Sequence, residues 1–207
     1  ALGSLLLGRG REAEAIETWE RIAEGEGVDA LALADLAEIY EDNRRWEEAI
    51  GAYRRMLDAS AGDPYRACRA MRAIGRCQEQ LEQMPEAVAT YEQALSLAAP
   101  GNWMYEDLKR RLVAAYDRMG DLDGLSRYLE ARIASAPADL DTRELLADTY
   151  RRLGRIEEAE AAYREALARD PKRIATYERL IALYASQGRT GDEAAAYEEL
   201  IAAHPSD

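Results

Sequence analysis

Small and aromatic apolar positions recur along this chain at a fixed interval of 34 residues. Glycines and prolines keep the same interval in the second half of the chain. The residues concerned are Tyr116, Tyr150 and Tyr184, Gly120, Gly154 and Gly188, and Pro137, Pro171 and Pro205. Between Ala49 and Ala87, and between Tyr53 and Tyr91, the interval lengthens to 38. A period of this length predicts a stack of similar structural units.

Residues 140–173 show the unit most clearly and predict two helices. One face of each predicted helix combines small residues with a tyrosine, and the first helix adds a leucine. These residues are Leu146, Ala147 and Tyr150, then Ala159, Tyr163 and Ala166. Gly154 is expected to end the first helix, because glycine tolerates the left-handed conformation beyond a helix terminus. Pro171 is expected to stop the second helix.

The same pattern resembles the tetratricopeptide repeat, a helix–turn–helix unit of about 34 residues. In residues 140–173 the matching positions are Leu146, Ala147, Tyr150, Ala159, Tyr163, Ala166 and Pro171. The resemblance covers essentially the whole chain and implies an all-α fold, a right-handed superhelical α-solenoid of antiparallel helix pairs. We place one solenoid domain over 1–207, with units at 1–29 (partial), 30–63, 68–101, 106–139, 140–173 and 174–207.

The first and last units lack features that close a helical stack. The first begins at mid-helix positions, the chain has no initiator methionine, and no polar capping helix follows the last unit. Because stacked repeats usually need polar caps, we expect a fragment of a larger protein, or ends covered by self-association.

High arginine and alanine content favours a bacterial source. The compartment, cytoplasmic or periplasmic, is not indicated. In the last unit, 174–207, we expect an apolar face of the second helix to be only partly covered by other helices. Its residues are Ala194, Tyr197, Leu200 and Ile201.

Two four-residue insertions account for the longer interval in the middle of the chain. Asp63 and Pro64 predict a helix cap followed by proline at the first helical position. Asn102 is expected to cap a second helix before Trp103. The first helices of units three and four are therefore predicted to be one turn longer than their neighbours. The extra turns carry Tyr65, Arg66, Trp103 and Tyr105, which are expected either to pack on the adjacent helix or to contact a partner.

Charge and hydropathy exclude several classes of function. The chain has 40 acidic and 27 basic residues and a formal net charge of −13. This balance argues against a nucleic-acid partner, whose binding depends on lysine and arginine contacts with phosphates. No run of about 18 apolar residues occurs, so direct membrane insertion is not expected.

Arginines concentrate at one set of repeat positions despite the acidic balance. In the tetratricopeptide repeat family the first helices line a concave groove that usually binds a peptide or another protein. Transferring those inward positions places acidic residues in units two and five, followed in unit five by Arg151 and Arg152. Units three and four receive the arginines, beside Glu79, Asp107 and Asp117. Arg66, Arg69, Arg72 and Arg76 fall within about 120° of one helix circumference. The whole candidate set is Tyr65, Arg66, Arg69, Arg72, Arg76, Trp103, Arg110, Arg111 and Arg118.

Two interpretations of this arginine cluster stay open. In the first, guanidinium groups hold the carboxylates of an acidic ligand segment in bidentate pairs, and Tyr65 or Trp103 supplies an apolar anchor. In the second, the arginines pair with acidic residues of neighbouring helices. Exposed pairs of that kind contribute only about 0–1 kcal/mol each.

Signals for catalysis, metals and cofactors are weak. His204 is the only histidine and lies beside Pro205, where we expect it to be solvated. Cys68 and Cys77 are nine positions apart on one predicted helix, which places them on opposite faces and prevents a disulfide. They also lack the spacing of metal ligands. We therefore predict no enzyme activity, no metal and no cofactor.

The sequence thus favours a protein–protein interaction scaffold that binds a peptide or partner domain in its groove. The alternative is a self-assembly or structural segment of a larger secretion, envelope or signalling protein, which forms homo-oligomers through its uncapped ends.

Overall fold

A computed structural model describes residues 2–23, 30–60, 62–99 and 101–205, and the regular structure in these residues is helical throughout. Twelve helices lie in this part of the chain. They are α1 (Leu2–Leu7), α2 (Glu12–Ala23), α3 (Ala30–Asp42), α4 (Trp46–Ala59), α5 (Pro64–Gln80), α6 (Met84–Leu97), α7 (Trp103–Met119), α8 (Leu122–Ser135), α9 (Leu140–Arg152), α10 (Ile156–Arg169), α11 (Ile174–Ser186) and α12 (Thr190–Ala203).

The chain divides into two compact units. The N-terminal unit, Ala1–Gly120, contains α1 to α7, and the C-terminal unit, Asp121–Asp207, contains α8 to α12. Within each unit every helix packs against the next one along the chain, and α5 also contacts α7. This arrangement confirms the predicted all-α fold of tetratricopeptide-like helix pairs. The single domain over 1–207 stays a prediction, and the predicted boundary at residue 29 lies outside the described residues.

One turn position after the first helix of each repeat requires a left-handed backbone. Gly120, Gly154 and Gly188 have φ of 68°, 73° and 67° there. At the equivalent positions Arg44 and Glu82 adopt φ of 56° and 60°. This conformation costs a residue with a side chain about 1–2 kcal/mol. The packing of the flanking helices therefore imposes the turn at Arg44 and Glu82, where no glycine is present.

The core follows the predicted alternation of small and aromatic residues. Ala159 and Tyr163 are completely buried at the expected positions of α10. Leu125 is also completely buried, although the repeat pattern places a small residue there. Lys109 replaces a large apolar residue, and it extends over the Tyr105 ring to pair with Glu106 at 2.8 Å. Its aliphatic stem thus covers apolar surface while its charge reaches a partner.

A repeated tyrosine–glutamate hydrogen bond joins successive helix pairs. In α3, α7, α9 and α11, a tyrosine near the end of the helix donates its hydroxyl to a glutamate on the second helix of the preceding repeat. The pairs are Tyr40–Glu20, Tyr116–Glu92, Tyr150–Glu130 and Tyr184–Glu160. Arginine guanidinium groups stack on three of these rings, at Tyr40, Tyr150 and Tyr184. These directional contacts fix the register between helices that apolar packing alone leaves free to slide.

The outer face of α12 is exposed in the C-terminal unit. Tyr163 and Leu167 of α10 are buried, and α11 packs against α10. Tyr197 and Ile201 lie 34 positions further on in α12, and both are exposed. The predicted partial exposure of this face is therefore found.

Candidate functional site

The insertions lengthen α5 and α7 as the sequence predicts. Each of these helices has 17 residues, whereas α3, α9 and α11 have 13. The Asp63 carboxylate accepts hydrogen bonds from the backbone N–H groups of Tyr65 and Arg66, and Pro64 opens the helix. Asn102 accepts from the N–H of Tyr105 at 2.8 Å. Both caps satisfy backbone donors that a helix start leaves without partners.

The extra turns place two aromatic side chains at the surface. Tyr65 is 56% exposed and Trp103 is 61% exposed. Tyr105 is buried, and Arg66 turns back to pair with Asp63 at 3.1 Å. The packing interpretation therefore holds for Tyr105, whereas Tyr65 and Trp103 are available to a partner.

The arginine stripe of α5 lies between acidic groups of α3 and α7. Arg69 faces Glu38 of α3 at 3.5 Å. Arg76 of α5 pairs with Glu41, which also belongs to α3. Arg72 turns to the other side and pairs with Asp107 of α7. The predicted ion pairs between neighbouring first helices are thus present in the N-terminal unit.

Asp107 is the centre of the first arginine cluster. Its side chain is only 8% exposed and receives the guanidinium groups of Arg72, Arg110 and Arg111. Burial alone would raise the pKa of Asp107, but hydrogen bonds and charges from Arg72 and Arg111 outweigh it and lower that pKa below its ordinary value. Asp107 is therefore a carboxylate at neutral pH and holds three cations together.

Glu79 is the centre of a second cluster on the same face. It accepts a hydrogen bond from the Tyr91 hydroxyl of α6 and lies 3.7 Å from Arg111 and 3.9 Å from Arg118. Glu41, 38 positions earlier, is held in the same way by Tyr53 at 2.6 Å. Burial and the neighbouring carboxylates raise the pKa of both tyrosines, so each remains a protonated donor at neutral pH.

Four guanidinium groups contact the two carboxylates Asp107 and Glu79. They belong to Arg72, Arg110, Arg111 and Arg118. Arg110 is 76% exposed and Arg118 is 52% exposed along its side chain. A guanidinium group has five N–H donors, so these arginines present donors to solvent while they contact Asp107 and Glu79. The geometry suits further carboxylates from outside the chain.

A polar cavity of about 400 Å³ opens beside the arginine stripe. Its walls include Glu38, Glu41, Arg69, Arg72 and Arg76. Tyr53 and Met56 of α4 also line it. Space for a ligand group therefore lies next to three of the predicted arginines.

A cation–π contact connects Trp103, the second exposed aromatic residue, to the arginine stripe of α5. The Arg72 guanidinium lies 5.5 Å from the Trp103 ring centroid, within the range of a cation–π contact. Sequence analysis did not assign the tyrosines Tyr53 and Tyr91 to this face. Their equivalent positions in two repeats could have indicated this placement, because in both repeats the aromatic residue of the second helix packs against the first helix.

Comparison with known families decides the assignment of the chain. Residues 29–99 and residues 144–207 each match a sequence profile of the tetratricopeptide repeat. Together the two matches cover more than half of the chain. The chain belongs to the tetratricopeptide repeat (TPR) family.

Solved TPR structures share this fold. The C-terminal part of a TPR repeat-containing protein from Cytophaga hutchinsonii is 16% identical, with a TM-score of 0.58 over 99% of this chain and 78% of that chain. YrrB, described as a TPR protein with an unusual peptide-binding site, is 18% identical, with a TM-score of 0.52 over 92% and 94%. MamA from Desulfovibrio magneticus RS-1 is 22% identical, with a TM-score of 0.51 over 87% and 96%. No curated protein matches the sequence.

TPR domains are typically non-catalytic and generally serve as protein–protein interaction scaffolds. In the part of the chain that the structure describes, no group of three or more His, Cys, Asp or Glu residues is placed to hold a metal ion. No helix among the described residues is long and apolar enough to cross a membrane.

The residues considered for nucleophilic chemistry are engaged in packing. Cys68 and Cys77 are free and buried. Burial raises the pKa of Cys77 to about 12, so its thiol is protonated at neutral pH. His204 is half-buried, with its ring nitrogens 3.1 Å from the carbonyl oxygens of Leu200 and Lys172. The expected solvation of His204 is therefore partial, because its ring also lies within hydrogen-bond distance of two backbone carbonyls.

Proposed function

We propose that this TPR chain is a non-catalytic scaffold whose N-terminal unit binds an acidic peptide segment. The binding face is the one formed by the arginines of α5 and α7. The observation that carries the proposal is that Arg110 and Arg118 stay largely exposed while they contact Asp107 and Glu79. A ligand carboxylate can add to the exposed donors of Arg110 and Arg118 without displacing either internal partner.

The chemistry of the face favours carboxylates over phosphate polymers. Arginine holds carboxylates and phosphates alike in bidentate pairs, so the neighbouring acidic residues decide between them. Acidic residues of α3, such as Glu38, lie directly beside the arginine stripe. Together with the net charge of −13, they would repel a long polyanion such as a nucleic acid. A short acidic segment with a few carboxylates matches this mixed surface.

The fold neighbours support the general class of this proposal. YrrB shares the fold and is described as having a peptide-binding site. The identity of 18% limits this support to the architecture, so the ligand chemistry proposed for this chain rests on its own arginines.

Reversing the exposed charges of the face is expected to weaken peptide binding about tenfold. The probe is a fluorescein-labelled peptide of alternating glutamate and glycine, titrated by fluorescence anisotropy. Arg110→Glu with Arg118→Glu removes two donors and adds two repelling charges, and both side chains are exposed enough to spare the fold. Arg72 and Arg76 are less suitable, because their side chains are only 23% and 37% exposed, so water would screen a glutamate there less from Asp107 or Glu41.

The matched control is Arg54→Glu with Arg55→Glu on the exposed surface of α4. It changes net charge by the same amount and is expected to bind the peptide like the wild type. Equal loss in both double variants would reduce the effect to net charge. No binding by the wild-type protein would overturn the proposal.

A second candidate function is self-assembly, in which the chain acts as a structural segment of a larger secretion, envelope or signalling protein. The exposed face of α12 favours self-assembly. Tyr197 and Ile201 are exposed, whereas the equivalent residues of α10, Tyr163 and Leu167, are buried in a helix against which α11 packs. A second copy of the chain is the proposed cover.

Self-assembly predicts a mass that rises with protein concentration. Sedimentation equilibrium of the wild type is expected to give dimers or larger species at high concentration. Ile201→Glu is expected to remain monomeric, because the charge would be buried in the contact. Ile174→Glu, at an exposed apolar residue of α11, is the control. A wild-type chain that stays monomeric at all concentrations contradicts this candidate.

A further inference from the structure

The extra turns of α5 and α7 border a second cavity, which opens to solvent at one edge of the N-terminal unit. Its volume is about 290 Å³. Its lining includes Tyr65 and Cys68 of α5, Leu97 and Ala98 at the end of α6, and Asn102 and Met104 at the start of α7. The cavity thus exists at the point where this chain departs from the regular 34-residue spacing.

The chemistry of this cavity is apolar. Asp63 and Asn102, the polar side chains at its rim, are occupied as helix caps. The Cys68 thiol donates to the carbonyl of Ala94 at 3.4 Å. The cavity volume of about 290 Å³ falls just below the range for ligand pockets, about 300–1,000 Å³. Such a site takes one or two apolar side chains.

Tyr65 links the apolar cavity to the arginine stripe. Tyr65, Arg69, Arg72 and Arg76 follow spacings of four, three and four residues along α5, so they lie on one face of the helix. Arg72 lies about 10 Å along the helix axis from Tyr65, at about 1.5 Å per residue. An extended peptide covers that distance in about three residues.

We propose that the cavity bounded by Tyr65, Leu97 and Met104 binds an apolar side chain of the acidic ligand. The ligand class is then an extended peptide with a large apolar residue about three positions from a run of acidic residues. This inference rests on the proposed function, because the arginine face supplies the charge complementarity that identifies the occupant. Apolar contact selects the register, while the guanidinium groups hold the acidic run.

Two labelled peptides test the inference on the full chain. The first has a leucine, two glycines and four glutamates, and the second has glycine in place of the leucine. On the wild-type protein the leucine peptide is expected to bind about tenfold more tightly, because its side chain is removed from water. Equal affinities of the two peptides would overturn the inference while leaving the proposed function intact. If neither peptide binds, both proposals fail.

Variants of the cavity wall locate the effect. Leu97→Ser combined with Tyr65→Ser is expected to bind both peptides with the affinity that the wild type shows for the glycine peptide. Both side chains are exposed, so the double variant is expected to fold. If it does not, Leu97→Ala alone is expected to lose part of the preference for the leucine peptide. Ile174→Ser in the C-terminal unit is the control and is expected to keep the full preference. A leucine preference that survives the cavity variants would overturn the assignment to this cavity.

Discussion

Gly75→Ala is expected to destabilise the protein by about 2 kcal/mol, although alanine is the better helix former. Gly75 lies inside α5, and a Cβ atom there would stand 2.3 Å from Cε1 and 2.6 Å from Cζ of Tyr91. The Tyr91 ring is completely buried and its hydroxyl is fixed by Glu79, so it has little room to withdraw. The clash therefore exceeds the gain in helix propensity of about 1 kcal/mol.

Gly51→Ala is the matched control for Gly75→Ala. Gly51 also lies inside a helix, α4, but nothing comes within 4 Å of the position of its Cβ. Here only the helix propensity changes, so alanine is expected to stabilise the protein by about 0.5–1 kcal/mol. Urea denaturation followed by circular dichroism measures both variants. The same sign of change in the two variants would contradict the proposed close packing of Gly75 against Tyr91.

Asp107→Asn is expected to lower the free energy of unfolding by about 2 kcal/mol at neutral pH. Removing one partner of a buried ion pair costs about 3–5 kcal/mol when the remaining charge stays buried. Here Arg72 and Arg111 retain side-chain exposures of 23% and 26%, so water can replace part of the lost interaction. Asp58→Asn, at an exposed position of α4, is the control and is expected to change stability by less than about 0.5 kcal/mol.

The effect of Asp107→Asn is expected to depend on pH. Because the native pKa of Asp107 is lower than its ordinary value of 3.8, folding favours the ionised carboxylate. That contribution is fully present above the ordinary pKa and is lost as the pH falls through the native pKa. The difference between wild type and variant should be constant near pH 7 and shrink below about pH 4. A difference that persists undiminished in acid would show that Asp107 acts through packing and not through charge.

Local features of the fold follow from neighbouring residues, which is why they could be predicted. The caps at Asp63 and Asn102 and the left-handed turn at Gly154 depend on interactions within a few positions of one another. The left-handed residues Arg44 and Glu82 were not predicted, because nothing in their side chains favours that conformation. Packing on both sides of the turn imposes it there.

The candidate site divides in the same way. That Arg69, Arg72 and Arg76 share a face follows from the helical period alone. Their partners do not, because α3 offers Glu38 and Glu41 and α7 offers Asp107, and the side-chain directions select among them. Arg72 pairs across to Asp107 of α7, whereas Arg76 pairs back to Glu41 of α3.

By itself, the sequence determined the repeat period, the helix pairs, the two longer helices and the angular positions of the arginines. These properties depend on backbone geometry and on contacts between residues close in the chain. Only the tertiary structure decided that Arg72 of α5 joins Arg110 and Arg111 at Asp107, that Tyr91 presses on Gly75, and that an apolar cavity opens beside Tyr65. The distance and rotation between packed helices decide these contacts, and they result from the fit of all the buried side chains together.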